Sequence, residues 1–316
     1  MKSRRVSAAG AASTLALVGA LVGYSLRIAP RWLHVRRLRI GLIGLPEEWR
    51  GTRIVHLSDF HLGHKAVPKD LLRRARGEAL AFGPDIIALT GDFFNDGRAT
   101  ERAALFVNWP LANVFAVLGN HDHRGGPAHV ASLERDLRAG GVTVLSNDAT
   151  SVELHGRTAW IVGVDDPYTG RDNILAALDG LPAGAEALLL LAHAPTVVDM
   201  MPVGRIRLAL CGHTHGGQLR LLPSGRTPFL RVILWLIGEP LRNEPSIYHG
   251  THWVRGAVVC VSNGLGLSQL PLRFRTRPQV VLIELCDASD VSLGCDDVRR
   301  YVDDRTPEKW FSRWLA

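Results

Sequence analysis

Five short runs of this sequence concentrate carboxylate, imidazole and carboxamide side chains. Asp59 and His61 lie in HLSDFHLG, Asp92 in LTGDFF, and Asn120, His121 and Asp122 in VLGNHD. His193 directly follows LLLLA, and His213 and His215 lie in CGHTHGGQ. Carboxylate and amide oxygens with imidazole nitrogens are donors for hard or borderline divalent cations. A carboxylate can bridge two such ions about 3.5–4 Å apart, and hydroxide held between them can attack a phosphorus atom whose oxygens the ions polarise. A lone D-x-H or G-D is more often a turn or a helix cap than a metal site. G-N-H-D and G-H-T-H carry more weight, and all five runs in this order point to two-metal hydrolysis of a phosphate ester.

Each run follows an apolar stretch that reads as a buried strand: Arg53–Leu57, Asp85–Thr90, Val114–Leu118, Ala187–Ala192 and Leu208–Cys211. Ligands of open α/β sheets gather beyond the carboxyl ends of the strands, so five strand ends would converge on one crevice. Gly91, Gly119 and Gly212 permit tight turns there. Between the strands, Leu71, Leu72, Ala75, Ala79 and Leu80 recur at helical spacing, which predicts a helix over Pro68–Phe82 stopped by Gly83 and Pro84. Further helices are expected over Ala99–Asn108 and Ala128–Ala139, and further strands over Val142–Leu145, Ser151–Leu154, Ala159–Val164, Ala257–Val261 and Val280–Leu285. This rhythm predicts one four-layer α/β/β/α sandwich, spanning residues 51–286.

The runs resemble the calcineurin-like metallophosphoesterase superfamily, whose pattern is D-x-H, G-D, G-N-H-D/E, H and G-H-x-H. The resemblance implies that Asp59, His61 and His215 hold one metal and that Asn120, His193 and His213 hold the other, with Asp92 bridging. It implies that His121 sits over the phosphate and stabilises or protonates the leaving oxygen, with Asp122 orienting it by a hydrogen bond. Manganese, iron and zinc all accept such donors. A closer resemblance is to the membrane-associated phosphodiesterase-like branch, carried by LPEEWRGTRIVHLSDFHLG, GVDD at Gly163–Asp166, GHTHGGQ at Gly212–Gln218 and SNGLG at Ser262–Gly266. That branch usually ends its core with Pro-Glu and an apolar residue, where this chain has Pro278, Gln279 and Val280. Phosphoprotein phosphatases of the superfamily carry G-D-x-H-G and G-D-x-V-D-R-G, which SDFHLG and GDFFNDG do not match.

Charge and composition narrow the setting. Among 316 residues 47% are hydrophobic and 21% charged, which excludes a disordered or low-complexity chain. Four cysteines without a C-x-x-C pair exclude a disulfide scaffold or a zinc ribbon. The net charge of +7 resides wholly in residues 1–50, where nine basic side chains meet two acidic ones, and residues 51–316 sum to zero. A nucleic-acid partner is therefore not expected, and a nuclease is disfavoured, because phosphate-backbone binding needs a basic footprint on the folded domain.

Residues 6–26 carry no charge, and a run of about 21 residues can just span a bilayer core. Residues 1–30 thus read as a signal-anchor or transmembrane segment, with residues 31–50 as a basic juxtamembrane stretch. A cleaved signal and a buried helix are the alternatives. Five arginines after the segment against three basic residues before it favour a cytoplasmic catalytic domain at the cell membrane. Ser3-Arg4-Arg5 argues for twin-arginine export instead.

The function expected is thus a membrane-associated phosphodiesterase or pyrophosphatase. Superfamily members that cleave nucleotide-linked acylated sugars make a lipid-linked substrate a candidate. The rival class is a non-catalytic scaffold of the same fold, but scaffolds tend to lose metal donors or the G-N-H histidine, and this chain keeps them all. Several features receive no catalytic role: His56 in the first strand, loop residues His64 and His123, Asp165 and Asp166 in a turn, and the arginines Arg273, Arg275 and Arg277. Phe229–Ile237 reads as a core helix or as a membrane-facing lip. Residues 287–316 read as a polar tail with a short amphipathic helix carrying Trp310, Phe311, Trp314 and Leu315.

Overall fold

The computed structural model describes residues 8–64, 67–95, 109–110, 113–220, 247–268, 270–291 and 302–304. The helix expected over 99–108, the apolar segment 229–237 and the expected C-terminal helix lie outside the described residues.

Strand alternation sorts the apolar side chains into separate interfaces. In β2 (Arg53–Leu57) and β3 (Ile86–Thr90), Ile54, Ile86 and Ala88 enter a core shared with Leu189 and Leu191 of β8 (Ala187–Ala192). Leu208 and Leu210 of β9 (Ile206–Cys211) and Val258 and Cys260 of β11 (Ala257–Val261) join that core. Their neighbours in sequence point the other way. Val55, Leu57, Ile87 and Leu89 pack with Leu72, Ala75 and Ala79 of α2 (Lys69–Ala81) and Leu133 and Leu137 of α3 (Pro127–Ala139). Ala209, Cys211, Val259 and Val261 pack with Ile174, Ala177 and Leu178 of α4 (Ile174–Asp179). Helix, sheet, sheet and helix therefore stack as four layers, as expected.

The first sheet has seven strands in the order β13-β1-β12-β2-β3-β4-β5, and the second has six in the order β10-β11-β9-β8-β7-β6. The remaining members are β1 (His34–Leu42), β4 (Asn113–Val117), β5 (Val142–Val144), β6 (Asp148–Leu154), β7 (Arg157–Gly163), β10 (Gly250–Val254), β12 (Gln279–Asp287) and β13 (Val302–Asp304). Strands β2, β3, β4 and β5 run parallel, as do β7, β8, β9 and β11, so their carboxyl ends share one edge of each sheet.

One expectation is corrected. Residues 34–42, taken as part of a basic juxtamembrane stretch, form β1, which pairs parallel with β12 over its whole length. Leu38, Ile40 and Leu42 are buried in the inter-sheet core. Arg37 and Arg39 alternate with them and meet Glu78 and Glu284 at 3.6 Å. The period-2 pattern of a strand is present, and the arginines on its other face disguised it. Likewise Val302–Asp304, in the expected polar tail, adds an antiparallel edge strand beside β1.

Before β1 lies α1 (Ala8–Gly23), continued by a π-turn over Tyr24–Ile28 and a 3-10 turn over Ala29–Arg31. The stretch Ala12–Arg31 is long and apolar enough to cross a membrane, and little of it is buried. Leu15, Leu17, Val18, Leu21, Val22, Leu26 and Ile28 all stand exposed. This is a candidate membrane anchor, not a core helix.

Candidate active site

The turns after the strands are strained and interlocked. Asp59, His61, Asp92, His213 and His215 all adopt positive φ, between 47° and 68°. That region disfavours L-residues by about 1–2 kcal/mol each, and such strain gathers where the surrounding structure over-determines a functional site. Here the hydrogen bonds do so. Asp59 N–H donates to Gly91 O at 3.0 Å, His61 N–H to Asp92 O at 2.9 Å, and Gly212 N–H to His193 O at 2.8 Å. Gly91 has φ 81°, and a Cβ on it would stand 2.6 Å from the Gly119 nitrogen and 2.9 Å from His193 Nδ1. Only glycine lets the two loops meet this closely.

The side chains so presented converge. Asp59, His61 and His215 offer donor atoms within 4.8 Å of one another, as do Asp59, Asp92 and His193, and also His61, Asp92 and His121. All of these residues are buried. The Nε2 atoms of His61 and His215 face each other at 3.0 Å. Asn120 Oδ1 lies 3.1 Å from both His193 Nε2 and His213 Nδ1. Asp92 Oδ2 lies 3.4 Å from His61 Nε2 on one side and from His193 Nε2 on the other.

Electrostatics decide what belongs in the middle. His193 Nδ1 donates to Thr90 O at 2.8 Å, and its Nε2 faces two acceptor oxygens, Asn120 Oδ1 and Asp92 Oδ2. Burial keeps His61 and His215 neutral, well below the ordinary imidazole range, and takes His213 down to about 3. Burial pushes Asp59 up to about 7, with Asp92 adding to the rise. Burial opposes a charge on Asp92 too, but His193 and His121 hold it anionic, well below the usual carboxylate range. Burial likewise opposes a proton on His193, yet Asp92 and Asp59 draw that ring well above its usual value. The neutral rings of His61, His213 and His215, an amide oxygen and two crowded carboxylates offer lone pairs to one space, and the proton drawn onto His193 shows that this space calls for positive charge. Divalent cations fit it.

A model of the calcineurin-like phosphoesterases matches residues 52–217. The chain belongs to this family. Its relatives include the metallophosphoesterase YkoQ of Bacillus subtilis, 31% identical over 77% of this chain and 86% of the relative. The phosphodiesterase YaeI of Escherichia coli is 30% identical over 90% of this chain and all of the relative. The transmembrane protein with metallophosphoesterase domain of Danio rerio is 30% identical over 87% of this chain and 62% of the relative. The chain is accordingly a metal-dependent phosphoester hydrolase, of a family that typically works with a dinuclear metal site.

Within this calcineurin-like site, the expected hydrogen bond from Asp122 to His121 does not form. Asp122 spends its carboxylate on backbone N–H groups: those of Asp92 and Gly119 at 2.9 Å on one oxygen, and those of Phe93 at 2.9 Å and Phe94 at 3.3 Å on the other. It clamps the G-D-F-F loop to the G-N-H-D turn. The His121 side chain instead places Nδ1 3.2 Å from Asn95 O, and its ring stands edge-on to His61 with centroids 4.6 Å apart. The His121 backbone N–H donates to Asp92 Oδ1 at 2.9 Å.

Other residues near the calcineurin-like site went unassigned in the sequence. Arg273, which receives no catalytic role from sequence, is fully buried behind His215. No composition signal separates it from Arg275 and Arg277. Gln218, in the quoted GHTHGGQ run, donates to Leu270 O at 2.7 Å and Leu272 O at 3.0 Å and so pins the loop before Arg273. Gln279 stands where the branch usually has glutamate, and its Oε1 accepts the Asn263 N–H at 3.1 Å. Asp166 caps a turn through Tyr168 N–H at 3.1 Å and Thr169 N–H at 2.9 Å, a structural role as expected. That turn rests Tyr168 against the His213 ring, centroids 4.3 Å apart. His123 bonds Asp165 at 2.7 Å, and this ion pair was not foreseen.

Proposed function

We propose that this chain is a membrane-associated dinuclear phosphodiesterase or pyrophosphatase. The observation that carries the reading is the convergence of acceptors around Asp92 Oδ2, 3.4 Å from His61 on one side and His193 on the other. In this reading Asp59, His61 and His215 hold one divalent cation, Asn120, His193 and His213 hold the second, and Asp92 serves both. Two such cations supply electrophilic stabilisation of phosphoryl oxygens and lower the pKa of water at the site. The protein's own groups do the rest. The strained turns fix the donors before substrate arrives, which removes reorganisation from the reaction. His121, edge-on to His61, holds a proton near the phosphoryl group and passes it to the departing oxygen. The Asp122 clamp keeps the turn that carries His121 against the loop that carries Asp92.

Membrane attachment is supported by the uncovered apolar helix, and a relative bears the name transmembrane protein. The arginine-rich C-terminal flank favours a cytoplasmic catalytic domain at the cell membrane. The anchor also meets the protein next to the site, because Ser25 O accepts the Arg273 N–H at 2.9 Å. A phosphate ester presented at a bilayer surface, such as a nucleotide-linked acylated sugar, suits that placement.

The test is hydrolysis of bis(p-nitrophenyl) phosphate against p-nitrophenyl phosphate by the full chain in detergent, with and without manganese. Metal-dependent cleavage that favours the diester is expected. Absence of both turnover and bound metal would return the scaffold reading.

A further inference from the structure

Guanidinium groups are almost never fully buried unless paired, because their removal from water is costly. Arg273 is fully buried, unlike Arg275 and Arg277. Its Nη2 lies 2.6 Å from Gly266 O, 2.9 Å from Asn263 O and 3.2 Å from Gly264 O. The same atom stands 3.3 Å from His215 Nδ1. Two hydrogens thus serve three carbonyls.

Those three carbonyls belong to the loop that backs Asp59. Leu265 N–H donates to Ser58 O at 3.0 Å and Gly266 N–H to Asp59 O at 2.6 Å. A Cβ on Gly264 would lie 2.6 Å from Asp59 Cβ, so the loop has no slack behind the carboxylate. Arg273 therefore braces Asp59 through the loop, and it lies against the His215 ring edge without a hydrogen bond to it, because a ring whose Nε2 faces a cation keeps its proton on Nδ1. No hydrogen bond joins Arg273 to Asn120, His193 or His213 among the described residues, and none joins it to the loops that carry them.

We infer that Arg273 is a positioning residue for the Asp59–His61–His215 half of the site and sets the affinity of that half for a divalent cation. The inference rests on the assignment of those three residues to one cation. Groups that orient metal donors from behind typically govern affinity by about 10–100-fold. Lysine keeps the charge but loses the planar fork, so it should recover only part of the effect.

The experiment uses the full chain in detergent, stripped by chelator and titrated with manganese alone, with calorimetry for the two affinities and electron paramagnetic resonance for the coupled pair. Wild type should take up two ions with a spin-coupled signal. In Arg273→Met one ion should bind as in wild type while the other weakens by about 10–100-fold, leaving the signal of an isolated ion at intermediate manganese. Arg273→Lys should fall between the two. A residue that merely packs would lower the melting temperature of the apoprotein and leave the ratio of the two affinities unchanged, and that result overturns the inference. If Arg273→Met does not fold, the ratio in Arg273→Lys decides: a wild-type ratio overturns it and a widened one supports it. A wild-type chain that takes up no manganese would overturn the metal assignment itself, and this inference with it.

Discussion

The carbonyl of Ser25 accepts the backbone N–H of Arg273 at 2.9 Å, which joins the end of the apolar N-terminal helix to the segment braced behind His215. Nine residues after Ser25 begins β1, whose Leu38, Ile40 and Leu42 belong to the inter-sheet core. The N-terminal region is therefore built into the protein, not merely a tether. A fragment of residues 51–316 loses the Ser25 bond and leaves β12 without its parallel partner. Burial of three such side chains stabilises by roughly 1.5–3 kcal/mol each, comparable to the whole stability of many domains. The fragment should be aggregated or unfolded by circular dichroism, while the full chain in detergent gives a cooperative transition. A cooperative melt of the fragment would show that β1 is dispensable.

Asp92 Oδ2 lies 3.4 Å from both His61 Nε2 and His193 Nε2, so in the proposed two-metal site its loss should be felt by both ions. Asp92→Ala should bind neither ion tightly and show no turnover of bis(p-nitrophenyl) phosphate at any manganese concentration. Elemental analysis of the dialysed protein checks this. Retention of two tightly held ions would remove Asp92 from its central place.

His121 and Asp122 are adjacent in sequence and should fail in different ways. His121→Ala should keep both ions and its melting temperature while turnover falls by about 10²–10⁴-fold, the range for a lost proton donor. Asp122→Ala should lose stability first. It removes the acceptor of four buried backbone N–H groups, and each unsatisfied donor costs about 1–3 kcal/mol, so a loss of at least about 4 kcal/mol is expected in chemical denaturation. An Asp122→Ala protein with wild-type stability but slowed turnover would restore the hydrogen-bonded pair with His121.

Much of this arrangement was legible because the donors follow strands whose apolar runs are unbroken. Ala187–Ala192 and Ala257–Val261 are buried at every position and match the expected bounds. What escaped reading was disguised by charge or made by tertiary contact. In β1 the arginines fill the face away from the core, so a strand looked like a basic linker. The Asp122 clamp depends on two loops nearly 30 residues apart meeting through Gly91 and Gly119, and local sequence holds no sign of its direction. Arg273 was missed for a related reason: burial is a property of the loop packed around a residue, and RFRTR alternates like any exposed strand.

His56 gives a pH dependence that is independent of the metal donors. It is fully buried, its Nε2 lies 2.9 Å from Thr90 Oγ1, and burial lowers its pKa to about 3. A histidine whose folded pKa lies below its unfolded value of about 6.5 takes up its proton more readily when unfolded. Its effect is therefore nil well above pH 6.5 and grows as the pH falls from there toward 3, always favouring the unfolded chain. At pH 5 this one residue should cost about 2 kcal/mol. Replacement by a side chain that does not titrate, His56→Gln, should remove that share. Denaturant unfolding of the chelated protein at pH 7.5 and pH 5 should thus show the gap in stability between the two pH values narrowing by about 2 kcal/mol in the variant. An equal gap in both proteins would mean that His56 is already protonated in the folded state, and the Thr90 hydroxyl would then have to act as its acceptor.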